Sequence, residues 1–162
     1  MENIAVPGST ENEQIFITRI YDAPVDQVYR NWTDPIQLAK WWGPKSFTNP
    51  RCEIDLRPGG EILIEMKAPD GTVYPMMGIF LEVIEPEKLV FTTTAMEVEI
   101  GNWQLEIFNI IDFNHDAAGT KLTVHATIKT RTPESEPAIM GLERRWNESL
   151  DRLDEILKET LS

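Results

Sequence analysis

The chain has 162 residues, and 27 acidic side chains against 15 basic ones give it a formal net charge of −12. That length suits one domain, and 41% hydrophobic with 26% charged residues is the composition of a globular chain rather than a disordered one. The acidic balance argues against nucleic acid and anionic membrane surfaces as partners, and no run of about 18 apolar residues is present that could span a bilayer.

Residues 1–14 and the single cysteine bear on domain organisation and location. The first 14 residues contain no Lys or Arg and no apolar run, so we expect a flexible N-terminal segment rather than a secretory signal. No linker-like stretch divides the remainder, which predicts one domain over residues 15–162. Cys52 has no partner for an internal disulfide, in agreement with a reducing, cytoplasmic location.

The N-terminal part of the chain predicts one strand followed by two short helices. Residues 15–21 alternate and are rich in β-branched side chains, which favours a strand. Pro24 and Pro35 stand where a first helical turn tolerates proline, and Asp34 can cap the second helix. The apolar residues of the first helix are Val25, Val28, Tyr29 and Trp32. The second helix has two alternative apolar faces: Ile36, Ala39 and Trp42, or Leu38 and Trp41.

From residue 45 to residue 130 apolar and polar residues alternate between turn sequences, which predicts six antiparallel strands. The hairpin through Pro69-Asp70-Gly71 sets Ile62, Ile64 and Met66 beside Gly78, Met76 and Tyr74. The next hairpin places Phe80 near Thr93. We expect these residues to share the buried face of the sheet.

The C-terminal segment predicts one long helix. Over residues 136–161 apolar side chains recur every three or four positions, and the opposite side is charged. The apolar stripe consists of Ile139, Leu142, Trp146, Leu150, Leu153, Leu157 and Leu161. A helix of about 25 residues is not stable alone in water, so we expect the sheet to cover this stripe.

Few residues suggest chemistry. His115 lies in a polar turn and His125 at a polar-facing strand position, so neither local spacing supports a metal site or a Cys–His pair. Cys52 alternates with apolar residues, which favours a buried thiol over a reactive nucleophile. Asp55 and Arg57 fit a surface ion pair better than an acid–base pair. We therefore assign no catalytic residue, no metal ligand and no cofactor.

The sequence Trp41-Trp42-Gly43-Pro44 is the most unusual tetrapeptide of the chain. Each indole ring can bury about 150–250 Å² of surface. One interpretation is that the rings anchor the short helices on the rim of the sheet. The other is that one ring forms the wall of a ligand pocket, and the sequence leaves both interpretations open.

Several ordered motifs resemble one protein family. They are Asp22-Ala23-Pro24, Trp32-Thr33-Asp34-Pro35, Leu38-Ala39-Lys40-Trp41-Trp42-Gly43-Pro44, Asp55-Leu56-Arg57-Pro58-Gly59-Gly60, Pro69-Asp70-Gly71-Thr72, Leu89-Val90-Phe91-Thr92 and Trp146-Asn147-Glu148-Ser149-Leu150-Asp151-Arg152-Leu153. On these motifs the chain resembles the heat-shock-protein-90 ATPase activator homologue family of the START-related (SRPBCC) helix-grip superfamily. The resemblance implies an α+β helix-grip fold: a curved seven-stranded antiparallel sheet wrapped around a long C-terminal helix, with two short helices between strands 1 and 2.

The resemblance also implies a cavity between helix and sheet, which in related proteins admits lipids, sterols, polyketides or other hydrophobic molecules. We therefore expect the chain to bind a small hydrophobic molecule there. The resemblance and the strand alternation together select eight ligand-binding residues: Trp42, Ile64, Met66, Met76, Phe80, Phe91, Trp146 and Leu150.

Two other functions are open. An enzyme of the cyclase, dehydratase or hydrolase kind would use the same cavity with a desolvated carboxylate as general base. In the predicted strand register, Glu82 is the acidic strand residue whose side chain faces the interior. An interaction module would instead regulate a chaperone partner. A homodimer is compatible with all three functions, because Ile79, Leu81 and Val83 place apolar side chains on the second face of their strand.

Overall fold

One antiparallel sheet of seven strands organises the chain. The computed structural model describes the backbone of residues 14–99 and 102–161 and, within those ranges, the side chains of residues 14–94 and 105–159. The strands are β1 (Gln14–Tyr21), β2 (Thr48–Ile54), β3 (Glu61–Lys67), β4 (Val73–Ile84), β5 (Lys88–Glu99), β6 (Asn102–Asp116) and β7 (Gly119–Arg131). Their order across the sheet is β1-β7-β6-β5-β4-β3-β2. Except for Gln14, the segment predicted to be flexible lies outside the described residues.

Helices stand in two places along the chain. Between β1 and β2 lie α1 (Val25–Thr33) and α2 (Pro35–Trp41), as expected. After β7 come a 3₁₀ turn (Pro133–Ser135), α3 (Glu136–Met140) and α4 (Leu142–Leu161). The sheet curves around the C-terminal helix, so the predicted α+β helix-grip architecture is confirmed. The prediction of one unbroken helix from residue 136 is wrong, because the chain turns at Gly141 between α3 and α4.

The core lies between the concave face of the sheet and the apolar stripe of α3 and α4. Alternate residues of the strands supply one side of it, and Val124, Ala126 and Ile128 of β7 are fully buried. The buried residues of the helical stripe are Ile139, Leu142, Trp146, Leu150, Leu153 and Leu157. Removing each such large side chain from water contributes about 1.5–3 kcal/mol, so this stripe holds α4 on the sheet. The side chain of Leu161 lies outside the described residues.

The first of the two predicted hairpin registers is confirmed. The pairs across it are Ile62–Gly78, Ile64–Met76 and Met66–Tyr74. In the second hairpin Phe80 lies opposite Phe91, so the predicted position near Thr93 is wrong. The turn is tighter than expected, since Ile84 pairs directly with Lys88, and a β-bulge follows Phe80.

The bulge also turns Glu82 away from the core. A bulge sets two residues of one strand opposite one residue of its neighbour, so the alternation of side chains changes phase at that point. Phe80, before the bulge, is buried, whereas Glu82, after it, is exposed and its carboxylate lies 3.9 Å from Nζ of Lys88. The prediction that Glu82 faces the interior is therefore wrong.

The second of the two faces considered for α2 is the buried one. Leu38 and Trp41 are buried, whereas Ile36 is 71% exposed. Asp34 caps this helix, because its carboxylate accepts a hydrogen bond from the N–H of Ile36 at 2.9 Å. The indole N–H of Trp41 donates to the carbonyl oxygen of Asn31 at 2.9 Å, which joins α2 to α1.

Indole rings gather where α1, α2 and α4 meet. We call this group the tryptophan cluster: Trp32, Trp41, Trp42 and Trp146. The ring of Trp32 is central, with its centroid 4.8 Å from that of Trp41, 6.4 Å from that of Trp42 and 6.1 Å from that of Trp146. All four side chains are buried. Because rings at these distances attract one another beyond their hydrophobic burial, the cluster packs both short helices against α4.

Hydrogen bonds also join α4 to residues 40–44, which we call the 40–44 segment. The guanidinium of Arg152 donates to four backbone carbonyl groups at 2.9–3.1 Å, those of Lys40, Trp42, Gly43 and Pro44. The hydroxyl of Ser149 donates to the carbonyl of Gly43 at 3.1 Å and accepts from its N–H at 2.9 Å. Gly43 has a φ of 94°, in the left-handed region that favours glycine. The geometry of this segment is therefore set by α4.

We predict that Arg152→Met lowers the free energy of unfolding by about 2–3 kcal/mol, because the 40–44 segment loses hydrogen bonds from a charged donor. Urea denaturation followed by tryptophan fluorescence measures the change. Arg144→Met on the same helix is the matched control. Arg144 is 70% exposed and pairs with Glu148, so its loss should cost about 0.5 kcal/mol or less. Equal destabilisation by the two variants contradicts the role assigned to Arg152.

Candidate ligand-binding cavity

A cavity of about 540 Å³ lies beneath the first two turns of α4 and is partly open to solvent. Its walls come from the 40–44 segment, from strands β3 to β6, and from the 3₁₀ turn, α3 and α4. The volume falls within the range of roughly 300–1,000 Å³ that is typical of small-molecule sites. The space therefore has the size and the position expected for a ligand held between the sheet and the C-terminal helices.

Half of the eight residues selected from the sequence line this cavity: Trp42, Met66, Met76 and Trp146. The rings of Trp42 and Trp146 meet edge to face with their centroids 5.5 Å apart, so two members of the tryptophan cluster form a continuous part of the wall. Of the two interpretations of the Trp41-Trp42 pair, the anchor describes Trp41, and the cavity wall describes Trp42. Trp41 is fully buried between the helices, and Trp42 lines the cavity.

The other four residues lie away from this cavity. Three of them line a second pocket of about 20 Å³: Ile64, Phe80 and Phe91. Leu150 is fully buried in the core and lines neither space. Trp42 and Met76 line both spaces, so their side chains form the partition between the cavity and the smaller pocket. Because methionine is unbranched and has three rotatable bonds, the partition on the Met76 side is adaptable.

Aromatic rings also border the open side of the cavity. Tyr74 is 49% exposed, although the sequence placed it on the buried face of the sheet. Its ring centroid lies 6.2 Å from that of Phe47, and both residues line the cavity. An exposed tyrosine beside a half-buried phenylalanine extends the apolar wall to the solvent.

Two polar side chains of the lining are already engaged within the protein. The hydroxyl of Ser149 forms its two hydrogen bonds with the backbone of Gly43. The hydroxyl oxygen of Thr93 accepts a hydrogen bond from Nδ2 of the fully buried Asn109 at 3.2 Å. These groups therefore stabilise the wall, and most of the remaining surface of the cavity is apolar.

The described lining contains two side chains that are charged at neutral pH, Glu134 of the 3₁₀ turn and Arg145 of α4. Glu134 is exposed, whereas Arg145 is half-buried. No role was predicted for either residue from the sequence. For Arg145 a signal was present, because it stands three residues after Leu142 and one before Trp146, at the edge of the apolar stripe.

The residues considered for chemistry do not form a reactive site. Cys52 is half-buried on β2, and burial, with a smaller contribution from the carboxylate of Glu53, raises the pKa of its thiol to about 11. Since the thiolate is the nucleophilic form, the raised pKa lowers the reactivity of this cysteine at neutral pH. Asp55 and Arg57 form an exposed ion pair with 2.8 Å between Oδ2 and Nε.

The two histidines lie outside the cavity. His115 is exposed near the end of β6, and His125 lies on the outer face of the sheet, where its ring centroid is 5.2 Å from that of Phe16. Within residues 14–99 and 102–161, no group of three or more His, Cys, Asp and Glu residues is placed to hold a metal ion. None of the helices in these ranges is both long enough and apolar enough to cross a membrane.

Comparisons with known proteins agree with this architecture. The family whose sequence model matches residues 22–158 is described as "Activator of Hsp90 ATPase homolog 1-like protein". A solved structure from Nitrosomonas europaea is 29% identical, with 91% of this chain and 95% of that chain covered and a TM-score of 0.75. A protein from Mycobacterium smegmatis is 27% identical, with 92% of this chain and 93% of that chain covered and a TM-score of 0.75. A protein from Arthrobacter aurescens is 25% identical, with 96% of this chain and 92% of that chain covered and a TM-score of 0.77. The comparison with curated proteins found no match.

We predict that Cys52 is alkylated by iodoacetamide at pH 7.5 about a hundredfold more slowly than an ordinary thiol, because its pKa is raised from 9.0 to about 11. The rate should rise about tenfold for each unit of pH between 7 and 9.5, since the thiolate fraction does so below the pKa. Mass spectrometry of the folded protein measures the rate. Cys52→Ser supplies the blank, and urea-unfolded protein supplies the reactive control. A folded-state rate close to the unfolded one contradicts the burial of this thiol.

Proposed function

Because the chain belongs to the family of activator of Hsp90 ATPase homolog 1-like proteins, whose fold commonly binds hydrophobic ligands, we propose that it binds a small hydrophobic molecule between its sheet and its C-terminal helices. The observation that carries the proposal is the cavity of about 540 Å³. Burial of a few hundred Å² of apolar ligand surface, at about 25 cal/mol per Å² and after the costs of association, supports micromolar affinity.

The proposal divides the eight residues selected from the sequence by position. Direct contact is assigned to the residues that line the cavity: Trp42, Met66, Met76 and Trp146. A longer or branched ligand that displaces the Met76 side chain would reach the residues of the smaller pocket: Ile64, Phe80 and Phe91. Leu150 supports the wall from within the core, because it is fully buried and lines neither space.

A reaction in the same cavity needs an ionisable group that faces the ligand. Glu82 does not supply it, since it lies exposed beside Lys88. The carboxylate that the described lining does contain belongs to Glu134, which is exposed to water, so burial does not favour its protonated form. Binding without chemistry therefore accounts for more of the observed lining than catalysis does.

The chaperone partner and the homodimer stay predictions. The residues that motivated the homodimer were Ile79, Leu81 and Val83, of which Ile79 is 45% exposed and Leu81 49% exposed. The predicted place of Val83 on the same face is wrong, because after the bulge it lies opposite Leu89 and packs against the core. Light scattering at several protein concentrations tests self-association, and co-purification from cell extract tests a chaperone. Neither outcome alters the test of the cavity.

We predict that wild-type protein binds the neutral dye Nile red saturably, with one site and a blue-shifted emission. Ala138→Trp should weaken this binding about tenfold or more, because Ala138 of α3 lines the cavity and an indole ring there occupies the volume that the dye needs. Ile36→Trp is the matched control, since Ile36 is 71% exposed on α2 and does not line the cavity.

Fluorescence titration gives the dissociation constants, and circular dichroism verifies that both variants are folded. Absence of saturable binding to the wild type contradicts the proposal, and so does equal binding by the two tryptophan variants. In the second case the dye would occupy another surface.

A further inference from the structure

The guanidinium of Arg145 is a half-buried charge in a mostly apolar wall. Its Nη2 donates a hydrogen bond to the carbonyl oxygen of Ala138 in α3. A Cβ added to Gly141 would come within 2.8 Å of Nη1 of Arg145, so the guanidinium lies against the turn between α3 and α4. The side chain therefore folds over the junction of the two helices at the edge of the cavity.

Several other arginines of the described chain have a carboxylate or several carbonyl groups as partners. Arg19 lies 3.0 Å from Asp151, Arg57 lies 2.8 Å from Asp55, and Arg152 donates to four carbonyl groups. For Arg145 no carboxylate oxygen of the described residues is within 4.0 Å, and the bond to Ala138 uses one of its five N–H groups. Most of its donors are therefore free to bind a ligand.

A half-buried guanidinium without a carboxylate in contact has an energetic consequence. Burial, followed by the charge of the adjacent Arg144, lowers the pKa of Arg145, and the charge of Glu148 opposes this shift; the guanidinium nevertheless stays protonated. Partial removal of the charge from water is unfavourable unless an anion or further acceptors replace the water. A carboxylate does this best, because its two oxygens match the planar fork of N–H groups.

We propose that the ligand of this cavity is an amphipathic carboxylic acid, whose carboxylate pairs with Arg145 while its apolar chain lies against Met66, Met76 and Trp146. This inference rests on the proposed function and adds the chemical class of the ligand. The apolar part supplies affinity through burial, and the ion pair with Arg145 fixes the direction in which the molecule lies.

The net charge of the protein and the carboxylate of Glu134 both oppose the entry of an anion into the cavity. The net charge of −12 repels it at long range, but physiological salt screens exposed charges beyond about 8 Å. Glu134 is closer, since it lines the same cavity, but it is exposed to water, which weakens its repulsion. Glu134→Gln should therefore strengthen the binding of an acid and leave the binding of a neutral ligand unchanged.

Decanoate and decan-1-ol test the inference, because they share one alkyl chain and differ in the head group. Isothermal titration calorimetry at pH 7.5 should show that wild-type protein binds decanoate about tenfold or more tightly than decan-1-ol, the factor expected for one hydrogen-bonded charge pair. Arg145→Met should remove this preference and keep the binding of decan-1-ol. Arg144→Met removes an exposed neighbouring charge that pairs with Glu148, so this variant should keep most of the preference for decanoate and bind decan-1-ol as the wild type does.

Each outcome decides between the two proposals. If wild-type protein binds decan-1-ol as tightly as decanoate, or if Arg145→Met keeps the preference, the carboxylate site is overturned and the hydrophobic cavity stands. If neither ligand binds, both proposals are overturned. The comparison of the two ligands on wild-type protein needs no variant, so the inference stays testable even if Arg145→Met does not fold.

Discussion

The position of α4 over the sheet is the constraint on which the rest of the structure depends. Arg152 and Ser149 hold the 40–44 segment from one side. On the other side β1 holds the helix, because Arg19 lies 3.0 Å from Asp151 and the hydroxyl of Tyr21 donates to the carbonyl of Leu150 at 3.0 Å. The contacts of residues 150–152 fall in the middle of α4, whereas the cavity lies beneath its first two turns and ends at Ser149. The middle of α4 is thus held against its neighbours, and the cavity lies beneath its N-terminal part.

The same contacts connect stability to the proposed function. The 40–44 segment carries Trp42, which both joins the tryptophan cluster and lines the cavity. Met76 is 6% exposed and forms the partition together with Trp42, so the wall between the cavity and the smaller pocket consists of one rigid ring and one adaptable side chain.

Periodicity explains how much of the molecule the sequence could predict. The alternation in β3 and β7 and the stripe in α4 recur over many residues, so the strands and the long helix could be predicted from the sequence. The cavity itself, and the choice of Trp42, Met66, Met76 and Trp146 to line it, depended also on the family resemblance. The bulge after Phe80 and the turn at Gly141 are single-residue irregularities without a periodic signal, and the first of them reversed the expected direction of Glu82. Arg145 was missed because a charged residue on an amphipathic helix is expected to face water.

Methionine methyl groups offer the most direct test of the cavity, because they lie both inside and outside it. Met66 and Met76 line the cavity, whereas Met77 is 37% exposed and Met140 is 83% exposed, and neither lines it. In protein labelled with ¹³C at the methionine methyl groups, added decan-1-ol should shift the Met66 and Met76 signals saturably and leave those of Met77 and Met140 in place. A shift of the Met77 or Met140 signals with unchanged Met66 and Met76 contradicts the account, as does the absence of any shift.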